Sequence, residues 1–308
     1  MPPASDCWYL TGATASGKTS IGIELAGRLD AEIISLDSMA IYRGMDIGTA
    51  KPSTEQQHSV PHHLLDVVDP NEAYSLDQYV EAAHEKIAEI QDRGRQALLV
   101  GGTPLYLKAL LRGLFSGPPA DWDFRREVEA EVQRVGALAL HARLAQVDPL
   151  AADTLHPQDT RRIIRALEVY KITGQPISHL QEQFETSRPA DQCRVFVLQW
   201  PREQLHERIN ARVQQMFDAG LVDEVRGLLD RYGSLSRTAS QAVGYRQVLS
   251  HLDGELDLAT TIERVQSRTR QFAKRQLTWF RSLSECRDVP MSDALSPAAV
   301  ADQIIATQ

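Results

Sequence analysis

The sequence predicts an α/β fold: a parallel sheet core flanked by helices, with an all-helical subdomain inserted. Three observations carry this. Short apolar runs (Trp8 to Leu10, Ala31 to Leu36, Ala97 to Val100, Arg194 to Trp200) alternate with stretches of helical period, the pattern of successive β-α units. The first and third runs end in glycine turns, at Gly12 and at Gly101-Gly102. From Trp122 to about Glu185 the helical period continues with little strand signal.

The first glycine turn fixes the kind of core. Gly12, Gly17, Lys18 and Thr19 fit Gly-x-x-x-x-Gly-Lys-[Ser/Thr], a phosphate-binding loop. The intervening residues Ala13, Thr14, Ala15 and Ser16 turn successive backbone N–H groups toward phosphate oxygens. Lys18 supplies a point charge, and the Thr19 hydroxyl can hold Mg2+. Ile21, Leu25 and Leu29 follow at helical spacing, so the loop opens a helix whose N-terminus favours anions. The core is therefore P-loop NTPase-like.

Bulk properties set the class. Hydrophobic residues make up 43% and charged residues 24%, ordinary for a soluble globular protein. Cys7, Cys193 and Cys286 are odd in number and far apart. They suggest neither a disulfide framework nor a zinc site, and they fit a reducing cytoplasm. No basic region leads into an apolar core at the N-terminus, and no run reaches membrane-span length. The net charge of -8 alone argues against a nucleic-acid partner. A local basic face overrides such a sum.

In chain order, the second strand ends at Asp37-Ser38. Ligands of open α/β sheets bind beyond the carboxyl ends of strands, so Asp37 falls near the phosphate loop. Its carboxylate could bind metal, act as a general base or cap the next turn. Ala40 to Pro52 is rich in glycine and charge and lacks a period, as functional loops do. His58, His62 and His63 lack metal-site spacing and read as ordinary polar residues. Ser75 to Ile90 is helical, and Gly94 ends it. Thr103, at the third strand end, could bond a substrate atom or cap the helix that Pro104 opens.

Composition shifts after Pro119, dividing the chain into a core at 1–119, a helical insertion at 120–190 and the rest of the core at 191–308. Within the insertion, Phe124 to Val135, Leu138 to Leu144 and Asp159 to Thr173 read as helices. Arg161, Arg162 and Arg165 lie on the polar side of the third, which suits phosphate contact or a solvated face. Beyond the fourth strand, Glu203 to Met216 carries Arg208 and Arg212 on one face. Such a pair could neutralise a leaving pyrophosphate or bond nearby glutamates. Val222 to Tyr232 forms another helix. In the last long one, Ala259 to Ser282, residues 261–281 hold six basic residues against Glu263, with Phe272, Trp279 and Phe280 interleaved. That is the footprint of an RNA- or phosphate-binding element. The tail after Pro290 looks incidental.

Six motifs occur in one order: residues 12–19, Asp-Ser-Met-Ala-Ile-Tyr-Arg-Gly-Met-Asp-Ile-Gly-Thr-Ala-Lys-Pro (37–52), Gly-Gly-Thr-Pro-Leu-Tyr (101–106), Arg-Ala-Leu-Glu-Val-Tyr (165–170), Val-Gly-Tyr-Arg (243–246) and Ala-Lys-Arg-Gln-Leu-Thr-Trp-Phe-Arg (273–281). Together they closely resemble the bacterial tRNA dimethylallyltransferases. The resemblance implies transfer of a dimethylallyl group from dimethylallyl diphosphate to N6 of adenine 37, in the anticodon stem-loop of tRNAs reading codons that begin with U. It implies Asp37 as general base and Thr103 as the residue orienting substrate. Gly12 to Thr19, with Mg2+ at Thr19, and Arg208 would hold the diphosphate, and Arg212 extends that set. Contacts to tRNA would come from Asp37, Ser38, Met39 and Ala40; from Arg125, Arg161, Arg162, Ile163, Ile164 and Arg165; from Gln241, Ala242, Val243, Gly244, Tyr245 and Arg246; and from Lys274, Arg275, Gln276, Leu277, Thr278, Trp279, Phe280 and Arg281. The expected form is a cytoplasmic monomer. Two rivals share the loop: a kinase using it for ATP, and a non-catalytic RNA-binding protein.

Overall fold

A computed structural model describes residues 3–4, 6–113, 117–180 and 188–307. The first half of the core runs β1 (Trp8–Gly12), α1 (Lys18–Leu29), β2 (Ala31–Ser35), α2 (Thr54–Ser59), β3 (His62–His63), α3 (Leu76–Asp92), β4 (Gln96–Gly101) and α4 (Pro104–Arg112). A helical stretch follows: α5 (Trp122–Val135), α6 (Ala137–Val147), α7 (Pro149–Thr154), α8 (Thr160–Thr173) and α9 (Ile177–Leu180). The core resumes with β5 (Val195–Gln199), α10 (Arg202–Asp218), α11 (Leu221–Tyr232), α12 (Arg237–Ser240), α13 (Tyr245–Leu252), α14 (Leu258–Arg281), β6 (Cys286–Pro290) and α15 (Pro297–Ala306). The chain forms two compact units, one within residues 112–186 and the other from residues 3–111 and 187–308.

The six strands form one sheet in the order β3-β2-β4-β1-β5-β6, and every pairing is parallel. Helices cover both faces of parallel sheets, so their strands read as continuous apolar runs. Tyr9, Leu10, Ile34, Leu98, Leu99 and Val197 are fully buried accordingly. At β1 the strand order reverses, with β4 on one side and β5 on the other. A switch point of this kind opens a crevice at the carboxyl ends. Gly12 ends β1, and Asp37 and Thr103 follow β2 and β4, at that edge.

Three elements, β3, β6 and α15, depart from the sequence reading. The tail is not incidental. Strand β6 pairs with β5 along its whole length, and Val300, Ala301 and Ile304 of α15 share a core cluster with Ile21, Leu25 and Ala26 of α1. His62 and His63 form the short edge strand β3, and His63 Nε2 lies 2.6 Å from Glu32 Oε2.

Glu32 is buried on β2, and Arg93 and Arg95 also reach it, Arg93 through two hydrogen bonds of 2.8 and 3.2 Å. Burial alone would raise its pKa, but hydrogen bonds from Arg93 and His63 outweigh that and hold it at about 2. A carboxyl depressed by folding stabilises the native state above its unfolded pKa and loses that contribution as pH falls toward the folded value. Wild-type urea midpoints should therefore fall between about pH 4.5 and pH 2, by up to about 3 kcal/mol of stability. The gap to Glu32→Gln should close over the same range.

In the helical unit, Phe124, Val128, Leu140, Leu144, Ile163 and Leu167 form a core of their own. Glu168 is fully buried beside them. It accepts two 2.7 Å hydrogen bonds from Arg125, one of 2.8 Å from the Asp121 N–H, and another from Arg165.

Candidate active site

The phosphate loop is held open at its helix end. No side chain caps α1, and its first turn holds no acid. Its leading N–H groups therefore face the crevice as an anion site. The loop needs φ of +148° at Gly12, +63° at Ala15 and +91° at Gly17. A methyl at Gly12 would lie 3.0 Å from both the Leu198 carbonyl oxygen and Ser16 Oγ. Lys18 Nζ donates to the carbonyls of Gly12 (3.1 Å) and Ala13 (2.8 Å). Burial first, then the Arg212 charge, push its pKa down to about 7, against the pull of Asp37.

Helix α10 brings two arginines to this loop. Arg208 donates to the Ala15 carbonyl at 3.1 Å and lies 4.2 Å over the Trp200 ring, whose indole N–H donates to Ser16 O at 2.9 Å. Arg208 also pairs with Asp293 at 3.3 Å. Arg212, one turn on, has its pKa lowered by burial and by the Arg208 charge, while Asp37 raises it. Arg208 thus serves the loop and Asp293, and Arg212 lies within electrostatic reach of Lys18 and Asp37.

Across the crevice, Asp37 Oδ1 accepts from the N–H groups of Met39 (2.8 Å) and Ala40 (3.3 Å). That is the turn cap allowed by the sequence. Oδ2 has no hydrogen-bond partner among the described residues, so capping leaves one oxygen for chemistry. Thr103 Oγ1 accepts from the Ser38 N–H at 3.1 Å and donates to Ser38 Oγ at 3.4 Å. The hydroxyl is thus turned to the Asp37 segment and does not cap α4. A methyl on Gly101 would lie 2.1 Å from the Leu36 carbonyl oxygen, so only glycine lets the ends of β4 and β2 meet and set Thr103 beside Ser38. Below them, Tyr79 and Tyr106 stack at 3.8 Å, and burial raises both pKa values.

The donors suit magnesium. Near the loop stand the Thr19 hydroxyl, Asp37 and the Ser16 hydroxyl, which is buried without a hydrogen-bond partner among the described residues. These are hard oxygens. Among the described residues no three His, Cys, Asp or Glu side chains cluster as a metal cage. Mg2+ commonly binds through few protein oxygens and keeps water and substrate phosphates as its other ligands.

The loop after Ala40 is fixed from outside. Glu224 accepts from the N–H groups of Asp46 (2.9 Å), Ile47 (2.6 Å) and Gly48 (3.2 Å), and from the Tyr245 hydroxyl (2.6 Å). A methyl on Gly48 would lie 2.4 Å from the Tyr245 ring. The motifs at 46–49 and 243–246 are therefore one joint, which sequence spacing did not reveal. Lys51, with Asp46 and Asp66 as ion-pair partners, helps line a cavity of about 630 Å³ that has Arg212 in its wall.

The residues expected at RNA divide by exposure. Arg161, Arg162, Gln241, Arg246, Lys274, Arg275, Thr278 and Arg281 are exposed, and Ser38, Met39, Val243, Leu277 and Trp279 are half-buried. Ala40, Ile163, Ile164, Ala242, Tyr245, Gln276 and Phe280 are buried, so their side chains face protein, and Gly244 is buried as backbone. Arg125 and Arg165 are engaged by Glu168. Gln276 was the least legible. It spans Thr14 and Gly102, and its only signal was a polar residue on the buried stripe of α14 with Val265, Ala273 and Phe280.

The family model described as IPP transferase matches residues 40–283. A tRNA dimethylallyltransferase of Rhodopirellula baltica is 48% identical over 294 residues, covering 93% of this chain and 88% of that protein. One from Methylococcus capsulatus is 48% identical over 288 residues, covering 92% and 91%. Among solved structures, the full-length tRNA isopentenylpyrophosphate transferase of Bacillus halodurans is similar at a TM-score of 0.70 and 39% identity, over 98% of this chain and 96% of that one. A eukaryotic dimethylallyltransferase solved acting on tRNA reaches a TM-score of 0.79 at 27% identity, over 97% and 77%.

Proposed function

The chain belongs to the IPP transferase family, and we propose that it is a tRNA dimethylallyltransferase acting on N6 of adenine 37 in tRNAs that read codons beginning with U. One observation carries the reading: Asp37, a carboxylate with one oxygen unbonded among the described residues, lies within electrostatic reach of a half-buried phosphate cradle built from Lys18, Arg212 and the α1 N-terminus. That pairs a proton acceptor with a site for a departing diphosphate.

Adenine N6 is a weak nucleophile because its lone pair is delocalised into the ring. In the proposed step, N6 bonds to C1 of the dimethylallyl group as the C1–O bond breaks. The electron pair leaves with the diphosphate, and the N6 proton passes to Asp37 Oδ2. Lys18, Arg208, Arg212 and the loop N–H groups receive the charge that develops. Thr103 fixes the Asp37 segment and orients the substrate. Thr19 would hold Mg2+, which when bound supplies a Lewis acid for the leaving oxygens. The base reaches the site by leaving its loop stack, which costs less than opening a duplex. Exposed Arg161, Arg162, Arg246, Lys274, Arg275 and Arg281 bind RNA phosphates, and Trp279 offers a stacking face. No helix among the described residues is long and apolar enough to cross a membrane. A cytoplasmic monomer is the proposed form.

Incubation with Mg2+, radiolabelled dimethylallyl diphosphate and two anticodon stem-loops tests the reading. One stem-loop carries adenine at 36, 37 and 38, and the other has guanine at 37. Label should enter only the adenine RNA. ATP consumed with no label in either would favour a kinase.

A further inference from the structure

Gln276 lies on the inner face of α14 and is 4% exposed. Its Oε1 accepts from the Thr14 N–H at 2.9 Å, and its Nε2 donates to the Gly102 carbonyl at 2.5 Å. The amide orientation is fixed by these partners, since a flip would set NH2 against N–H and oxygen against oxygen. One side chain therefore joins three pieces: the phosphate loop, the end of β4 one residue before Thr103, and α14. Gly102 is the notch that admits it. A methyl there would lie 2.7 Å from Gln276 Nε2 and 3.5 Å from Lys18 Nζ. The neighbours of Gln276 on the helix, Lys274, Arg275 and Thr278, are exposed on its other faces.

We propose that Gln276 is a positioning residue that couples the RNA-bearing helix to the diphosphate cradle. It is not an RNA contact. Its oxygen occupies the Thr14 N–H, so that amide is part of the loop's support and not of its ligand set. Its nitrogen fixes the backbone leading into Thr103. Through this side chain, force applied to α14 by RNA on its outer face reaches the phosphate loop and the Thr103 strand end together, beside the Arg270–Asn210 contact that ties α14 to α10. The proposal rests on the functional reading above, because it takes the loop's ligand to be a diphosphate.

The test uses the full chain and two probes, inorganic pyrophosphate and the adenine stem-loop, with binding read by calorimetry. Gln276→Met keeps the shape and removes both hydrogen bonds. It should weaken pyrophosphate binding about 10-fold or more, the effect of stranding a buried N–H and C=O. RNA affinity should stay within about 2-fold of wild type, as expected when a buried hydrogen bond is lost without touching the RNA phosphate contacts. Gln276→Glu keeps the acceptor for Thr14 but donates to Gly102 only when protonated. Its KM for dimethylallyl diphosphate, relative to wild type at each pH, should improve as pH falls from 8 to 6. Thermal melts of the variant over the same pH range separate this recovery from relief of a destabilised fold, which would raise the melting temperature in step with it. Gln276→Met binding pyrophosphate as wild type does, or losing RNA affinity instead, would overturn the role. So would Gln276→Glu showing no pH-dependent recovery. Wild-type protein that binds no pyrophosphate would overturn the functional reading itself, which is a different result.

Discussion

Asp37→Asn is expected to lower kcat by about 10²–10⁴-fold, the range for a positioned general base, while RNA affinity stays near wild type. Asparagine keeps an oxygen for the Met39 and Ala40 N–H groups that Oδ1 now serves, so the turn should survive. What it loses is the basic second oxygen facing the crevice. Single-turnover kinetics with the adenine stem-loop, beside a filter-binding Kd for the same RNA, separate the two effects. Equal losses in both would mean that Asp37 shapes the RNA site and takes no proton.

Lys18→Met is the second large effect. Lys18 is the half-buried amine of the cradle, and once charged by an arriving diphosphate it makes charge-assisted hydrogen bonds, which are among the strongest available. Affinity for dimethylallyl diphosphate should fall by about 10²-fold, from the loss of about 3 kcal/mol. The pKa of about 7 adds a signature. At pH 8 about nine-tenths of free Lys18 is neutral, and an arriving diphosphate favours the charged form. Binding should then take up close to one proton at pH 8 and very little at pH 6. Calorimetry in buffers of different ionisation enthalpy reads that number. Lys18→Met should abolish it, and uptake that persists in the variant would assign the proton to another group.

Much of the fold was legible because its signals are local. The Gly12 to Thr19 loop, the apolar strands and the alternation of strand and helix need no partner to be seen. Strand β6 was not legible because Cys-Arg-Asp-Val-Pro is a half-exposed edge, with only Val289 buried. Helix α15 did carry a signal, Ser296 as N-cap and Pro297 at the first position, but its reason for existing is α1, far away in sequence. In the candidate site, the places of Asp37 and Thr103 were legible as strand ends, and that of Lys18 from the phosphate-loop pattern. Glu224 and Gln276 were not. Each acts on backbone groups of distant segments, N–H groups for Glu224 and one N–H and one carbonyl for Gln276, and backbone groups leave no trace in the amino-acid code. For the basic residues the limit is related. Arginine spacing marks a helix face, but it does not distinguish Arg161, which is exposed, from Arg165, which serves buried Glu168.

The pairing of β6 with β5 and of α15 with α1 also fixes when this protein can finish folding. Arg28 on α1 and Asp302 on α15, 2.7 Å apart, are separated by 274 residues of chain. At about 5–20 residues per second, a ribosome completes α15 roughly fifteen to sixty seconds after β1 is made. Until then the helix behind the phosphate loop lacks its outer neighbour. The apolar strand Val195–Gln199 meanwhile offers an unpaired edge, and such edges recruit other strands. The interval between synthesis of β5 and of β6 is thus the window in which nascent chains are most open to misassociation and to holding by chaperones.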